Sequence, residues 1–446
     1  MLNKMGSWAI IYMGFQSNLV TKHFFGRNNR NKRILAIGVL IFLVYVLFLR
    51  QTGTPCQTSG GKTGVESTKY AIMMDGGSTG SRIHVYEFLY CDNEVMKLKN
   101  EIFREVKPGL SEFDAGESAA KSLGPLLDIA AEHIPKEFHS STPIALKATA
   151  GLRLIPEAKA DDILKSIAKL FQNYKFKTNK DSVSIIDGKD EAILAWYTVN
   201  FLAGKLNQNQ ETAVTLEMGG GSVQVVAQTE KKGTAEYYET FKHAGRKFDL
   251  YRHSYLGYGL MEARKRIVQH FVENHDHSAG FPCYPVGQKV VFASENGDTE
   301  LVGNEGGWQE CKKVIEGILD TDAVCLQEPC SINGIHQPNI NNAEKIFVFS
   351  FFYDRIHILG FPTASTLEEV EQKLEKLCSI NTNTSEIELE TLAVRANNFY
   401  CLDLGFIYLL LKEGFKIDEK KELQIAKRVE GFEIGWSLGA AIKMLE

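Results

Sequence analysis

The 446-residue chain is 44% hydrophobic and 24% charged, enough apolar sequence for two or more cores. Its net charge of −5 and pI near 6.2 provide no broad basic field, which excludes nucleic acid as a general partner.

In chain order, the first feature is a basic cluster, Arg27, Arg30, Lys32 and Arg33, followed at once by the uncharged run Ile34–Leu49. Sixteen residues fall a little short of the roughly 18–20 of a membrane span, a gap that flanking residues can close. The run reads as an uncleaved anchor rather than a cleaved signal, because 33 residues precede it and Leu-Arg-Gln follows it. Basic residues on its N-terminal side predict a type II topology, with residues 1–33 as a cytosolic tail and everything after Arg50 across the membrane. All eight cysteines and the acceptor triplet Asn383-Thr384-Ser385 lie beyond the anchor, where disulfides and glycosylation occur. No CxxC pair exists, so no zinc site is expected.

Residues 50–68, rich in Gly, Thr and Ser, predict a stem linker. Beyond it, helical periodicity marks 119–134, 160–174, 190–204, 259–274 and 367–378, the last with Thr366 and Glu369 spaced as a capping box. Strand-like runs cover 143–149, 183–187, 213–218, 223–228 and 345–352. The alternation predicts an α/β fold.

An internal repeat is the informative pattern. "AIMMDGGSTGSRIHVY" at 71–86 has a partner 142 residues later in "AVTLEMGGGSVQVVAQ" at 213–228. Each copy is an apolar strand, an acidic residue (Asp75 or Glu217), a Gly/Ser turn and a second strand. Neither is a Walker A loop, since the Gly-Lys-Ser/Thr triplet is missing and a strand follows. Alone, such a turn reads as a hairpin whose glycines supply positive φ. As a matched pair, the two read as phosphate cradles built from backbone N–H groups and hydroxyls, with the carboxylates beside them suited to a hydrated divalent cation. Arg82, at the first loop's exit, suits a phosphate or an exposed strand edge equally. Glu191 opens an apolar helix, where the helix dipole would keep a carboxylate ionised as a general base; an ordinary first-turn Glu, like its neighbour Asp190, fits the same position.

Five ordered stretches, "DGGSTGSR" (75–82), "KATAGLRLIP" (147–156), "DGKDEAILAW" (187–196), "EMGGGSVQ" (217–224) and "GWSLGAA" (435–441), resemble the conserved regions of the apyrase family of nucleoside di- and triphosphate diphosphohydrolases. "KPGLSEFD" (107–114), "HSYLGYGL" (253–260), "PCSINGIHQP" (329–338) and "FSFFYDR" (349–355) resemble its Golgi guanosine/uridine diphosphatase branch. The resemblance implies two ribonuclease H-like lobes of the actin/Hsp70/hexokinase type with a nucleotide cleft between them. Lobe I would be 69–187 completed by 432–446, and lobe II 188–431. It implies metal-dependent hydrolysis of GDP or UDP in the Golgi lumen, with Ca2+ or Mg2+ as cofactor. Phosphate binding would fall to Gly77, Ser78, Thr79, Gly80, Ser81, Arg82, Gly219, Gly220 and Gly221. The metal's water shell would fall to Asp75, Thr149 and Glu217, water activation to Glu191, and water positioning to Ser222 and Gln224. Trp436 would close the cleft near the metal, the aromatic stretch Phe351 to Tyr353 would supply a stacking surface for the base, and Arg153 would lie elsewhere in the cleft.

Three positions depart from the family pattern: Glu217 replaces Asp, Ala192 replaces Gly, and Gly76 replaces Ala, the last predicting a looser first loop. A non-catalytic nucleotide-binding protein and an ecto-apyrase with broader triphosphate use are therefore alternatives. A sugar kinase or chaperone ATPase of the same fold lacks the "KATAGLR" and "DEAILAW" pair. Among cysteines the resemblance implies Cys325–Cys330, Cys378–Cys401 and Cys283–Cys311. It leaves Cys56 and Cys91 unassigned, with a homo-oligomer bridged through the stem open to them.

Overall fold

Apolar, β-branched runs closed by glycine turns form the central strands of two mixed sheets in this computed structural model. It describes residues 36–42, 54–58, 61–77, 79–92, 94–206, 210–230, 236–294, 297–379 and 399–446. The chain divides into two compact units, one reaching to Ser67 with Tyr90–Asp92, the other comprising Thr68–Leu89 and Asn93–Glu446.

In the first unit, β1 (Pro55–Gln57) pairs antiparallel with the start of β2 (Thr63–Gly76). Part of the segment expected to be linker is therefore strand. A disulfide joins Cys56 to Cys91, and the Val65 N–H donates to Asp92 Oδ1 at 3.0 Å. This corrects the expectation of a bridge between chains through the stem, since Cys56 is bonded within its own chain. The other three disulfides are Cys283–Cys311, Cys325–Cys330 and Cys378–Cys401. Residues 36–42 are helical with Ile37, Val39, Leu40, Ile41 and Phe42 exposed, and the remainder of the expected anchor lies outside the described residues. Among the described residues no helix is long and apolar enough to cross a membrane.

Most of the first sheet and all of the second lie in the second unit. The first runs β4 (Glu94–Val106), β3 (Ser81–Cys91), β2, β5 (Ile144–Ala148), β6 (Val183–Ile185), with β2, β5 and β6 parallel. The second contains β7 (Val214–Met218), β8 (Ser222–Gln228), β9 (Tyr238–His243), β10 (Arg246–Leu256), β13 (Ile346–Ser350), β14 (Ala364–Ser365) and β15 (Leu423–Ile425), in the order β14-β15-β13-β7-β8-β10-β9, while β11 (Lys289–Ser294) and β12 (Gly297–Val302) pair as a separate hairpin. The repeat seen in sequence is visible here. β2 and β7 each end one residue after an acidic side chain, each leads through a glycine loop into the next strand, and each pairs parallel with a later strand, β5 or β13.

Two helices at the middle of this unit, Gly188–Leu202 and Trp436–Leu445, touch closely. The Gly439 N–H donates to Thr198 Oγ1 at 2.8 Å, and a Cβ at Gly439 would lie 2.3 Å from the Leu194 carbonyl oxygen. That neighbour is backbone and cannot swing aside. We expect Gly439→Ala to destabilise the fold by about 1–3 kcal/mol despite the better helix propensity of Ala. Denaturant unfolding checks this, and an unchanged midpoint would refute it.

Two local expectations are corrected. The helix expected over 119–134 breaks at Leu123, giving Gly116–Ser122 and Gly124–His133, because Pro125 has no N–H to continue the ladder. The strand expected over 345–352 ends at Ser350, whose φ of 59° and ψ of −127° turn Phe351–Ile356 into a helix.

Candidate active site

The strand ends carrying Asp75 and Glu217 meet in one cavity of about 430 Å3 in the second unit. Asp75, Gly77, Thr79 and Arg82 line it from the first loop, Glu217, Gly219 and Gly220 from the second, and Thr149 and Glu191 between them. Tyr353 and Trp436 line it further along. Ser222, Gln224, Gly80, Ser81, Gly221 and Arg153 are not on its wall. Ser78 and Asn383 lie outside the described residues. A larger cavity of about 740 Å3, walled by Lys147, Asp181, Asp190 and Lys443, contains neither glycine loop, so chemistry rather than size assigns the site.

The second loop is held by its carbonyls. Gly219 O accepts from Leu260 N at 3.0 Å, Gly220 O from Met261 N at 3.0 Å, and Gly221 O from Gly257 N at 2.8 Å. The Gly219 N–H itself donates to Ser222 O at 2.9 Å, so it is the Gly220 and Gly221 amides that the loop can offer an anion. Gly259 makes the arrangement possible, since a Cβ there would lie 2.3 Å from Ser222 N and 2.4 Å from Gly221 N. Its role was not read from the sequence, although "LGYG" immediately before a helix was a signal. In the first loop, Gly76 is not loose: a Cβ would meet Leu110 Cδ1 at 2.8 Å, so a leucine fills the space of the missing methyl. Ala192 is buried in its helix.

Asp187 caps the helix Gly188–Leu202, accepting from Lys189 N at 2.7 Å. In its first turn, Glu191 is buried and faces the smaller cavity, whereas Asp190 is exposed and lines the larger one. That separates two acidic residues which sequence left equivalent. Arg153, from the short helix Ala150–Arg153, donates Nη2–H to Glu191 Oε2 at 2.7 Å. Burial is the larger effect and pushes the Glu191 carboxyl up to about 7, with Arg153 opposing the rise.

Arg82 donates Nη1–H to Asp75 Oδ2 at 3.0 Å and pairs through Nη2 with Glu105 Oε1 at 2.8 Å, so carboxylates hold its guanidinium. Burial raises Asp75, with Arg82 opposing. Burial raises Glu217 well above the usual range, reinforced by the charge of Glu191. Ser350 donates to Glu217 Oε1 at 3.1 Å. Asp75 Oδ1 and Glu217 Oε2 are buried without a hydrogen-bond partner. Two orphaned carboxylate oxygens in one cavity fit the water shell of a divalent cation, and Thr149 lines the same wall. Among the described residues no cluster of three or more His, Cys, Asp or Glu side chains could hold a metal directly.

Behind Glu217, Gln224 is its cross-strand partner in the β7–β8 ladder. Gln224 Nε2 donates to Ser222 Oγ at 2.8 Å and lies 3.4 Å from Ser254 Oγ, while its Oε1 is buried and unpartnered. Ser254, opposite Gln224 on β10, is a neighbour the sequence reading did not single out.

A family model described as the GDA1/CD39 (nucleoside phosphatase) family matches residues 62–446. A guanosine-diphosphatase of Candida albicans is 35% identical over 442 residues, covering 88% of this chain and 73% of that protein. The human nucleoside diphosphate phosphatase ENTPD5 is 35% identical over 402 residues, covering 85% of this chain and 88% of that protein. Among solved structures, a nucleoside triphosphate hydrolase from Neospora caninum superposes with a TM-score of 0.64 at 14% identity, over 94% of this chain and 97% of that one. That likeness speaks for the fold alone.

Proposed function

The chain belongs to the GDA1/CD39 (nucleoside phosphatase) family, and on that premise we propose that it hydrolyses nucleoside diphosphates, GDP and UDP first, to monophosphate and phosphate. The observation that carries the reading is the buried Glu191 in one cavity with Asp75, Glu217 and both glycine loops. In this reading the loop amides on the cavity wall that stay open to an anion, those of Gly77, Thr79 and Gly220, hold the phosphates. Gln224, oriented by Ser222 and Ser254, positions a water through its unpartnered Oε1. Glu191 takes a proton from that water as its oxygen bonds to the terminal phosphorus, and the bond to the bridging oxygen breaks in line. Arg153 keeps the Glu191 carboxylate in place. Asp75, Thr149 and Glu217 would hold a Ca2+ or Mg2+ ion through water, which when bound neutralises phosphate charge.

We also read the chain as a type II protein of the Golgi membrane with its folded part in the lumen. Four disulfides and the basic cluster before residue 34 support an oxidising compartment and that orientation. The domain reading is kept as a proposal: lobe I at 69–187 with 432–446, and lobe II at 188–431.

Phosphate release from a panel of nucleoside di- and triphosphates, run separately with Ca2+ and Mg2+, tests the function. The expected result is release from GDP and UDP, with the triphosphates slower. Nucleotide binding without release under either metal would leave a non-catalytic binding protein instead.

A further inference from the structure

The short helix Phe351–Ile356 carries a charged group that the reaction does not use. Its orientation is fixed from the lobe interior. Arg355 pairs through Nε with Asp403 Oδ2 at 3.3 Å, and Asp403 is 0% exposed and also held by Arg264 Nε at 2.6 Å. The Arg355 guanidinium also lies over the rings of Phe351 and Tyr400. With that residue committed, Tyr353 and Asp354 line the cavity. The Tyr353 ring is backed by His357, stacked at 4.6 Å and 17°. Lys427 lines the same cavity from the segment after β15. Among the described residues neither the Asp354 carboxylate nor the Lys427 ammonium has a side-chain hydrogen bond or ion pair. Burial raises Asp354 above its ordinary value, opposed by the charges of Lys427, Arg355 and Arg82.

A carboxylate acceptor and an ammonium donor, neither hydrogen-bonded to another side chain among the described residues, beside an aromatic face suit the edge of a nucleobase. Guanine and uracil present a ring N–H next to a ring carbonyl. Adenine and cytosine present the reverse, a bare ring nitrogen next to an amino group. Resting on the nucleotide reading above, we infer that Asp354 accepts the ring N–H and Lys427 donates to the adjacent carbonyl, so that this pair selects guanine and uracil over adenine and cytosine. The reversed edges would set acceptor against carboxylate and donor against ammonium, and such a mismatch is what gives a polar site its discrimination.

Equilibrium titration of the full chain with methylene-bridged, non-hydrolysable diphosphates of guanosine, uridine, adenosine and cytidine reads this directly. The wild type is expected to bind the first two about tenfold or more tightly than the others, the scale of one hydrogen bond to a charged group. Asp354→Asn should shrink that ratio to within about twofold, and Asp354→Glu should keep part of it. Should Asp354→Asn lose its cooperative thermal transition, Lys427→Met supplies the same comparison. A wild type without preference, or a folded variant that keeps the full preference, overturns the inference. Phosphate release from the natural diphosphates is measured alongside. Preference without release counts against the hydrolytic reading alone, and release without preference counts against base selection alone.

Discussion

Glu191→Gln is expected to lower kcat for GDP by about a thousandfold, within the range attributed to a positioned general base. The amide matches the carboxylate in shape and its oxygen can still accept from Arg153, but it cannot take a proton from water. The Kd for a non-hydrolysable diphosphate should therefore stay within about threefold of wild type, and kcat should fall without a matching rise in KM. A variant that turns over at near-normal rate removes Glu191 from this role. The pH profile adds an independent check. As the proposed base Glu191 would work as the anion, so activity should be lost as pH falls through its pKa, which burial raises to about 7. A cation bound in the same cavity would pull that limb lower. Arg153 opposes the rise, so Arg153→Gln should move the acid limb of kcat/KM to higher pH. A limb that stays in place would show that the pair does not set the titration.

Much of this arrangement was legible because it is local. The capping box at Thr366 and Glu369 marks the helix Leu367–Cys378 at its observed start, since reciprocal capping depends only on a three-residue spacing. The repeat of strand, acidic residue and glycine loop announced two equivalent strand ends for the same reason. What escaped is tertiary. Arg153 and Glu191 are 38 residues apart and meet only when the short helix after β5 packs beside a later helix. Cys56 and Cys91 meet because β1 folds back on β2, inside a stretch whose composition reads as linker. Phe351 and Phe352 look like strand because aromatic residues favour sheets, and one residue with positive φ, Ser350, overrides that preference. The same Ser350 donates to Glu217, so the longer acid that replaces the family's aspartate has a dedicated partner.

That partner leads to the second large effect, the linkage between pH, divalent cation and stability. Burial raises Asp75, Glu191 and Glu217 in the folded protein, so the native state binds more protons than the unfolded chain once pH passes the ordinary carboxylate range. Stability without metal should therefore fall as pH rises from about 4 to 7 and beyond, the opposite of a salt-bridged carboxylate. A divalent cation held in its water shell by the ionised carboxylates, as proposed, would offset this loss. Saturating Ca2+ or Mg2+ should raise Tm by a few degrees at pH 8, the scale of mass-action stabilisation at about 100 times Kd, and by clearly less at pH 5.5. Glu217→Gln tests where the effect resides. Ser350 can still donate to the amide oxygen, so the side chain stays in position, but the unpartnered Oε2 is replaced by an NH2 group that no cation attracts. In that variant the metal-free protein should be more stable at pH 8 than wild type, and the cation-dependent rise in Tm should shrink. Chelation of the wild type should lower phosphate release by about a hundredfold or more, since the proposed metal would no longer be there to offset phosphate charge. An equal rise in Tm at both pH values, or an undiminished rise in Glu217→Gln, would mean the cation is held elsewhere, and the two orphaned oxygens would need a different partner.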